Sequence, residues 1–369
     1  MNRSISLTST NKVKAFVNCL KDSPVESLIN NLATGIELLE IDGSSYPITI
    51  NNGNQPGNCY ICNPVTGYTA YAIDETRHFV KNPFLNGCLK RFIHTISPVV
   101  GATGIDRVVH LNNWLFSTNP CPAFDRTTLK KLCKKLVRQY PSHAIVVRSL
   151  NTFSDKASLD AFAAEGFHLL PSRQVYIFDG RLETRLSKDM KNDRALLRKT
   201  PFKEVANEDF SDADYQRCAE LYAQLYIDKY TPLNPQYSAD FIRRLHKSGV
   251  IQLQGLRCVD ANLVAIGGRF EYANTLTQPI LGYDTFRPQK EGLYRLITSM
   301  AQRDALEHRL VFNMSAGAAD FKRKRLAIPA LEYSAVYTRH LKYHQNLATK
   351  ITKSILANMA VPIIKRYKL

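Results

Sequence analysis

The residues best suited to chemistry lie in one run, Gly282-Tyr-Asp-Thr-Phe-Arg-Pro-Gln-Lys-Glu-Gly-Leu-Tyr-Arg295. Thr277–Tyr283 reads as a strand, the stretch around Pro288 as a loop, and a helix is expected to begin near Lys290, with Leu293, Leu296, Ile297 and Met300 inward. The first N–H groups of a helix lack intrahelical acceptors, and the helix dipole is positive at that end. Arg287, Lys290 and Arg295 add formal charge. Such a turn can hold a phosphate or pyrophosphate without a metal. The same residues would also suit an ordinary strand-to-helix connection with solvated cations.

Other catalytic signatures are missing. There is no Gly-x-Ser-x-Gly elbow, no His-Glu-x-x-His and no phosphate-binding GxxxxGK[ST] run. His78, His94, His110, His143 and His168 have no ligand-like spacing, so no metal is expected. Eight cysteines are scattered along the chain, and only Cys59-Tyr-Ile-Cys62 has a metal-like or redox-like spacing, with no second ligand pair to make a zinc site. Reduced structural thiols, as in the cytoplasm, are expected. Trp114 is the one tryptophan, and buried packing is its default role.

The elements that must position the loop follow from periodicity. Residues 1–60 are poorly periodic, and 51–57 read as a loop. Regularity begins with a strand at Arg107–Leu111. A helix capped by Asp125 follows, then a strand at His143–Arg148, a short helix capped by Ser154 and a strand at Arg173–Phe178. Residues 181–199 are rich in Arg and Lys and read as a linker with an exposed helix. Ser211-Asp-Ala-Asp214 is a capping box. A second capped helix starts at Ser238, and a hairpin turns at Asp260-Ala-Asn262. Strands at Leu310–Met314 and Leu331–Tyr337 complete an α-α-β-β-β-α-β-α-β order. The first half looks like a shorter copy of its last five elements, so an internal duplication is plausible.

This order, with Arg287-x-x-Lys290-x-Gly292 in the loop, resembles the GNAT N-acyltransferase superfamily. That family binds acyl-CoA pyrophosphate with an Arg/Gln-x-x-Gly-x-Gly/Ala loop. Here the outer positions match and lysine replaces the middle glycine. The run from Phe312 to Arg325 followed by Glu332–Tyr337 is similar to the branch with two tandem GNAT folds, which includes the Fem-type aminoacyltransferases. The resemblance covers 205–345 well and 105–180 loosely. It implies an α/β (α+β) chain of two tandem GNAT-like domains, each a mixed, mostly antiparallel sheet flanked by helices, the first divergent. The expected division is 1–180, a basic linker at 181–200, an acyl-donor domain at 201–345 and a basic amphipathic tail at 346–369.

The chemistry so implied is attack by an amine on a thioester or ester carbonyl. It needs a base for the ammonium, a donor to the carbonyl oxygen and an acid for the leaving group. In the family, the fourth and fifth strands splay and free a backbone N–H. Gly282 and Tyr283 are the matching place here. Asp284 is the nearest carboxylate to act as base, with Glu271 as runner-up. Tyr294 or Tyr333 could protonate a thiolate, and Asn313 and Ser315 would face the cleft. Gly292 and Leu293 would contribute the helix start. Lys322 and Arg323 could meet phosphate, whereas Glu332 reads as a salt-bridge partner.

Charge sets the class of partner. The chain of 369 residues has 49 Lys+Arg against 32 Asp+Glu, net +17. From 321 onward stand 11 basic residues and one acid, so +10 lies there. A polyanionic partner is expected. No run reaches the ~18 apolar residues of a membrane span, and no signal peptide is visible at 1–5. The tail carries Ile351, Ile355, Leu356, Met359, Val361, Ile363 and Ile364, and Pro362 should break any helix there. It could follow RNA, rest on an anionic membrane or attract an acyl carrier protein. Three readings result. One is an N-acyltransferase using acyl-CoA or acyl carrier protein as donor substrate and an amine acceptor, with no tightly bound cofactor. The second is a Fem-like enzyme using aminoacyl-tRNA. The third is a non-catalytic RNA- or membrane-binding module. A cytoplasmic site, peripheral to the inner membrane face, would suit all three.

Overall fold

Alternating apolar residues build eleven strands among the described residues. They are β1 (Gly35–Ile41), β2 (Ser44–Asn52), β3 (Arg107–Leu111), β4 (Ala144–Asn151), β5 (His168–Asp179), β6 (Lys203–Val205), β7 (Gln252–Arg257), β8 (Leu263–Tyr272), β9 (Thr275–Tyr283), β10 (Val311–Asn313) and β11 (Ile328–Tyr337). The computed structural model describes residues 9–53, 58–182 and 185–367. The expected N-terminal stretch at 1–5, part of the loop at 51–57 and the last two residues of the tail lie outside these.

The chain forms two compact units. Unit one holds the described residues of 1–30, 176–232 and 236–329; unit two holds those of 31–175, 233–235 and 330–369. These are not consecutive blocks like the ones expected. The N-terminal helix Ser9–Leu20 belongs with the second half of the chain, and the C-terminal strand and helices belong with the first.

In unit two the strand order is β1-β2-β3-β4-β11-β5. β1 and β2 are antiparallel across Asp42-Gly43, both at positive φ (47° and 76°), the two-residue turn that matches strand twist. β3 and β4 are the parallel pair. Alternation splits the side chains: Val109, Ile145 and Val147 join Leu129, Leu132 and Leu136 of helix Arg126–Gln139 in one core. Val108, Ala144 and Val146 join Leu170, Val336 and Leu356 in another. Asp125 caps the helix as expected, its Oδ1 accepting from Thr128 N at 2.9 Å.

In unit one the end of β5 is followed by β10-β9-β8-β7-β6. Every pair is antiparallel except β9 and β10. Helices Asp212–Ala223 and Leu293–Glu307 both pack on β8 and β9. They lie on opposite faces, because Gly282 points its missing Cβ at Leu221 while the paired-face Gly267 points at Ile297. Each unit is thus a mixed, mostly antiparallel sheet flanked by helices, the expected α/β class.

Three local expectations change. The helix expected in the linker is present at Lys188–Lys199, but it is not simply exposed: its Met190 and Asp193 are buried and it packs on helix Leu293–Glu307. The latter begins at Leu293, after a short turn at Gln289–Glu291, rather than near Lys290. Pro362 does not end the C-terminal helix. A π-turn at Leu356–Ala360 precedes it and the helix runs on through Val361–Tyr367. The wider turn accommodates a residue that has no N–H to donate. By length and composition Tyr343–Tyr367 could cross a bilayer, yet Leu356 and Ile364 are buried in unit two.

Candidate active site

In unit one, β9 ends at Tyr283 and the chain turns through Asp284–Pro288 into helix Leu293–Glu307. Gly292, just before the helix, sits at φ 69°, and a Cβ there would lie 2.8 Å from Leu196 Cδ2. A left-handed, crowded position suits glycine alone. Gly282 is more constrained: a Cβ would come within 2.4 Å of the Leu221 carbonyl carbon. This glycine lets helix Asp212–Ala223 press onto the strand.

β9 and β10 diverge. They pair only from Thr275 to Thr277. Beyond Asn313 the chain keeps its pairing with β5, Met314 N donating to Tyr176 O (2.9 Å) and Ser315 O accepting from Tyr176 N (3.1 Å). The six residues Gln278–Tyr283 therefore have no β10 partner, and a fork opens in front of the helix start. Pro279 lies in this stretch, where the β8 register also shifts. The fork is held by the turn after β10. Asn313 Oδ1 accepts from Ser315 N at 2.9 Å, Ser315 adopts φ 60°, and Lys322 Nζ donates to the carbonyls of Met314, Ser315 and Ala316.

The structure brings most of the expected residues to this fork but engages several of them. Asp284 accepts from Arg217 Nη2 (3.1 Å) and from Phe286 N (3.1 Å), so it caps the loop and closes an ion pair. Arg287 is bidentate to Glu291 and sits over the Phe202 ring. Arg295 donates to buried Asp193. Lys290 and Arg323 are exposed. Lys322 is buried and turned onto its three carbonyls, which directs its ammonium away from solvent phosphate. Tyr294 packs its ring 4.7 Å from Phe321 and 6.1 Å from Tyr283, and burial raises its phenol well above the usual range. The segments 287–295 and 319–325 do meet, because Asp193 binds both Arg295 and Arg325. Glu271 is not at the fork. It pairs with Leu276, seven residues or roughly 23 Å along β9 from Tyr283, and its carbonyl accepts from Lys12 of the N-terminal helix. Tyr333 belongs to unit two, opposite Leu150.

Some residues at the fork had no signal in the sequence. Gln278, on the unpaired stretch of β9, buries its Nε2 without an acceptor among the described residues. Tyr226 and Tyr230 join Tyr283 and Tyr294 beside the core of this unit. Both follow helix Asp212–Ala223, whose apolar spacing shows only that one face is buried.

The matching parallel pair of unit two has no such opening. β3 stops pairing with β4 at His110, and the next residues fold into the gap. Trp114 is fully buried there, its Nε1 donating to Asn112 Oδ1 at 3.0 Å. Asn113 Nδ2 donates to Thr49 and Asn119 Oδ1 accepts from Trp114 N. Cys59 and Cys62 are buried and free beside this plug, and burial pushes both thiols up, as befits packing groups.

The sequence matches no protein-family profile and no curated protein. Solved structures do align with it. FemX aligns over 94% of this chain and 99% of its own, with a TM-score of 0.53 at 8% identity. A conserved protein of unknown function from Bacteroides thetaiotaomicron aligns over 89% and 90%, with a TM-score of 0.47 at 14% identity. L-PGS from Bacillus licheniformis aligns over 62% and 78%, with a TM-score of 0.44 at 13% identity. Across nearly its whole length the chain shares the fold of FemX.

Proposed function

We propose that this protein is a GNAT-type N-acyltransferase that moves an acyl group from a phosphopantetheine thioester, acyl-CoA or acyl carrier protein, to an amine acceptor. The observation that carries this reading is the β9/β10 fork facing the start of helix Leu293–Glu307. Unit one offers an open fork, whereas unit two fills its own with Trp114 and the asparagines. This contrast supports unit one as the donor-binding unit.

In this reading the amine nitrogen attacks the thioester carbon, a C–N bond forms, the C–S bond breaks, and the amine loses one proton while the thiolate gains one. Backbone N–H groups of Gln278–Tyr283 that are not bonded to β8 (Pro279 has none) and the Gln278 amide are donors for the oxyanion. Tyr294 carries a proton for the thiolate, but the burial that raises its pKa makes it a weaker acid than a free phenol. Asp284 positions the loop through Arg217 and is the weaker candidate for the base, since both its oxygens are engaged. Lys290 and the free N–H groups of the helix start face the donor's phosphates.

One observation favours aminoacyl-tRNA as donor instead. Lys188, Lys191, Arg198 and Lys199 are exposed on the helix packed against the donor-loop helix, while Arg287 and Arg295 already have carboxylate partners. Such a surface suits a long polyanion more than a single pyrophosphate.

Thermal melting with acyl-CoA, acyl carrier protein and tRNA separates the readings. A rise with acyl-CoA or carrier protein alone is expected. No rise with either, together with salt-sensitive tRNA binding, transfers the assignment to the aminoacyl reading. Arg287→Glu with Lys290→Glu should abolish turnover, and full activity in that variant would mean that the phosphates bind elsewhere.

A further inference from the structure

Unit two contains a cavity of about 160 Å³ that the acyl-transfer reading does not use. Its floor is the sheet: Arg148 on β4, Ser172 and Arg173 on β5, Glu332 and Ser334 on β11. Its walls are apolar and come from helices. Leu89, Phe92, Ile93 and Ile96 project from helix Pro83–Ala102, and Leu356 and Ile363 from the C-terminal helix. Tyr60, Tyr68, Tyr71 and Glu75 close the polar end.

The charges on the floor do not cancel. Arg173 and Glu332 neutralise each other, Nε to Oε1 at 2.8 Å, and Arg173 Nη2 also donates to Ser117 O (2.7 Å) and Thr118 Oγ1 (3.0 Å). Arg148 has no carboxylate partner among the described residues. It donates to the carbonyls of Ile61 (3.0 Å), Phe116 (3.4 Å) and Ser117 (3.4 Å), and its guanidinium lies 5.6 Å from the centre of the Tyr60 ring. Neutral carbonyls leave a full positive charge in a half-open, mostly apolar space, where a counter-charge is favoured. Glu75 does not supply it fully: burial raises its carboxyl toward the neutral form. An apolar chamber with one convergent ionic group is the usual form of a small-molecule site.

We propose that this cavity binds an amphiphile, its single anionic group set against Arg148 and its aliphatic chain lying between helix Pro83–Ala102 and the C-terminal helix. The volume resembles cavities that admit a benzene-sized apolar ligand, so it takes the first part of a chain, and the remainder leaves between the helices. The ligand chemistry is an anion on an alkyl chain. Carboxylate and phosphate heads both satisfy it. The inference stands independently of the donor reading, since no residue of the fork takes part.

The test measures binding to the full chain by calorimetry. Dodecanoate, dodecyl phosphate and neutral dodecanol serve as probes. At least one of the two anions should bind at least tenfold more tightly than dodecanol, and the tighter anion identifies the head group. Arg148→Gln should remove that preference, Arg148→Lys should retain it, and Ile363→Trp should weaken all three probes by filling the chain end. Equal binding of dodecanol and both anions to the unaltered protein, or no binding of any probe, overturns the proposal. That comparison needs no variant, so it holds even if Arg148→Gln fails to fold. A melting shift with acetyl-CoA, whose two-carbon acyl group offers this cavity no aliphatic chain, reports on the fork, so the two readings fail separately.

Discussion

Asp193 Oδ1 accepts a hydrogen bond from Arg295 Nε at 2.7 Å, although the two residues lie 102 positions apart. The same carboxylate binds Arg325 through its other oxygen and is only 1% exposed. One acid on the basic helix Lys188–Lys199 thus joins helix Leu293–Glu307 to the segment after β10. Removing it strands two cations, one of them, Arg325, buried. Asp193→Ala should cost about 3–5 kcal/mol in urea unfolding, the range for breaking a buried pair from one side. A cost below ~1 kcal/mol would mean that solvent reaches the site and the bridge is incidental.

Gly282→Ala should destabilise the protein by about 1–3 kcal/mol, because the new methyl must displace the backbone of Leu221 rather than a movable side chain. Gly292→Ala meets the tip of Leu196 and a positive φ, so its cost should be nearer ~1 kcal/mol. Chemical denaturation of both variants checks the order, and the reverse ranking would disprove the close helix approach at Gly282.

His110 is fully buried, and neither ring nitrogen has a partner among the described residues. Burial, with Arg148 nearby, holds its pKa well below the usual value, so the folded ring is neutral. The unfolded ring takes a proton below about pH 6.5. Stability from this site is therefore complete above that pH and is lost as pH falls. His110→Leu should raise stability by about 1–3 kcal/mol at pH 7 by removing unsatisfied polar atoms, and by more at pH 5. A variant that is less stable at both pH values would show that the ring has an unseen partner.

Asp155 titrates in the opposite sense. Burial, with Glu332 adding to it against a hydrogen bond from Asn151, raises its pKa from 3.8 to about 7. The folded state holds a proton that the unfolded state has released, so this contribution is present below about pH 4 and disappears as pH rises through 7. The effect is on the order of 4 kcal/mol. Asp155→Asn should flatten the melting temperature between pH 5 and 8, where the parent protein declines. An unchanged slope would assign the decline to another group.

The sequence exposed the 282–295 loop because its signals are local. Proline, glycine and a helical spacing at 293–300 can be read without knowing what packs against them. The hairpin across Asp42-Gly43 was equally local and went unread, since β1 alternates weakly and three of its seven residues are exposed. The N-terminal helix also went unread, although Val13, Phe16, Val17 and Leu20 carry a 3-4 spacing, because the stretch around them is irregular.

Cavity and fork differ in this respect. Arg148, Arg173 and Glu75 are separated by up to ~100 residues and carry no motif, so only the sheet and helices of unit two place them together. Likewise, the charges of Arg287, Arg295 and Lys322 were visible, but their engagement by Glu291, Asp193 and three carbonyls was not. By itself the sequence determined the strand–loop–helix with its cations, because backbone propensity and capping act over a few residues. Only the tertiary structure decided which cations remain free, which strand pair opens and where an uncompensated arginine lies, because pairing and burial depend on chain segments that meet across long separations.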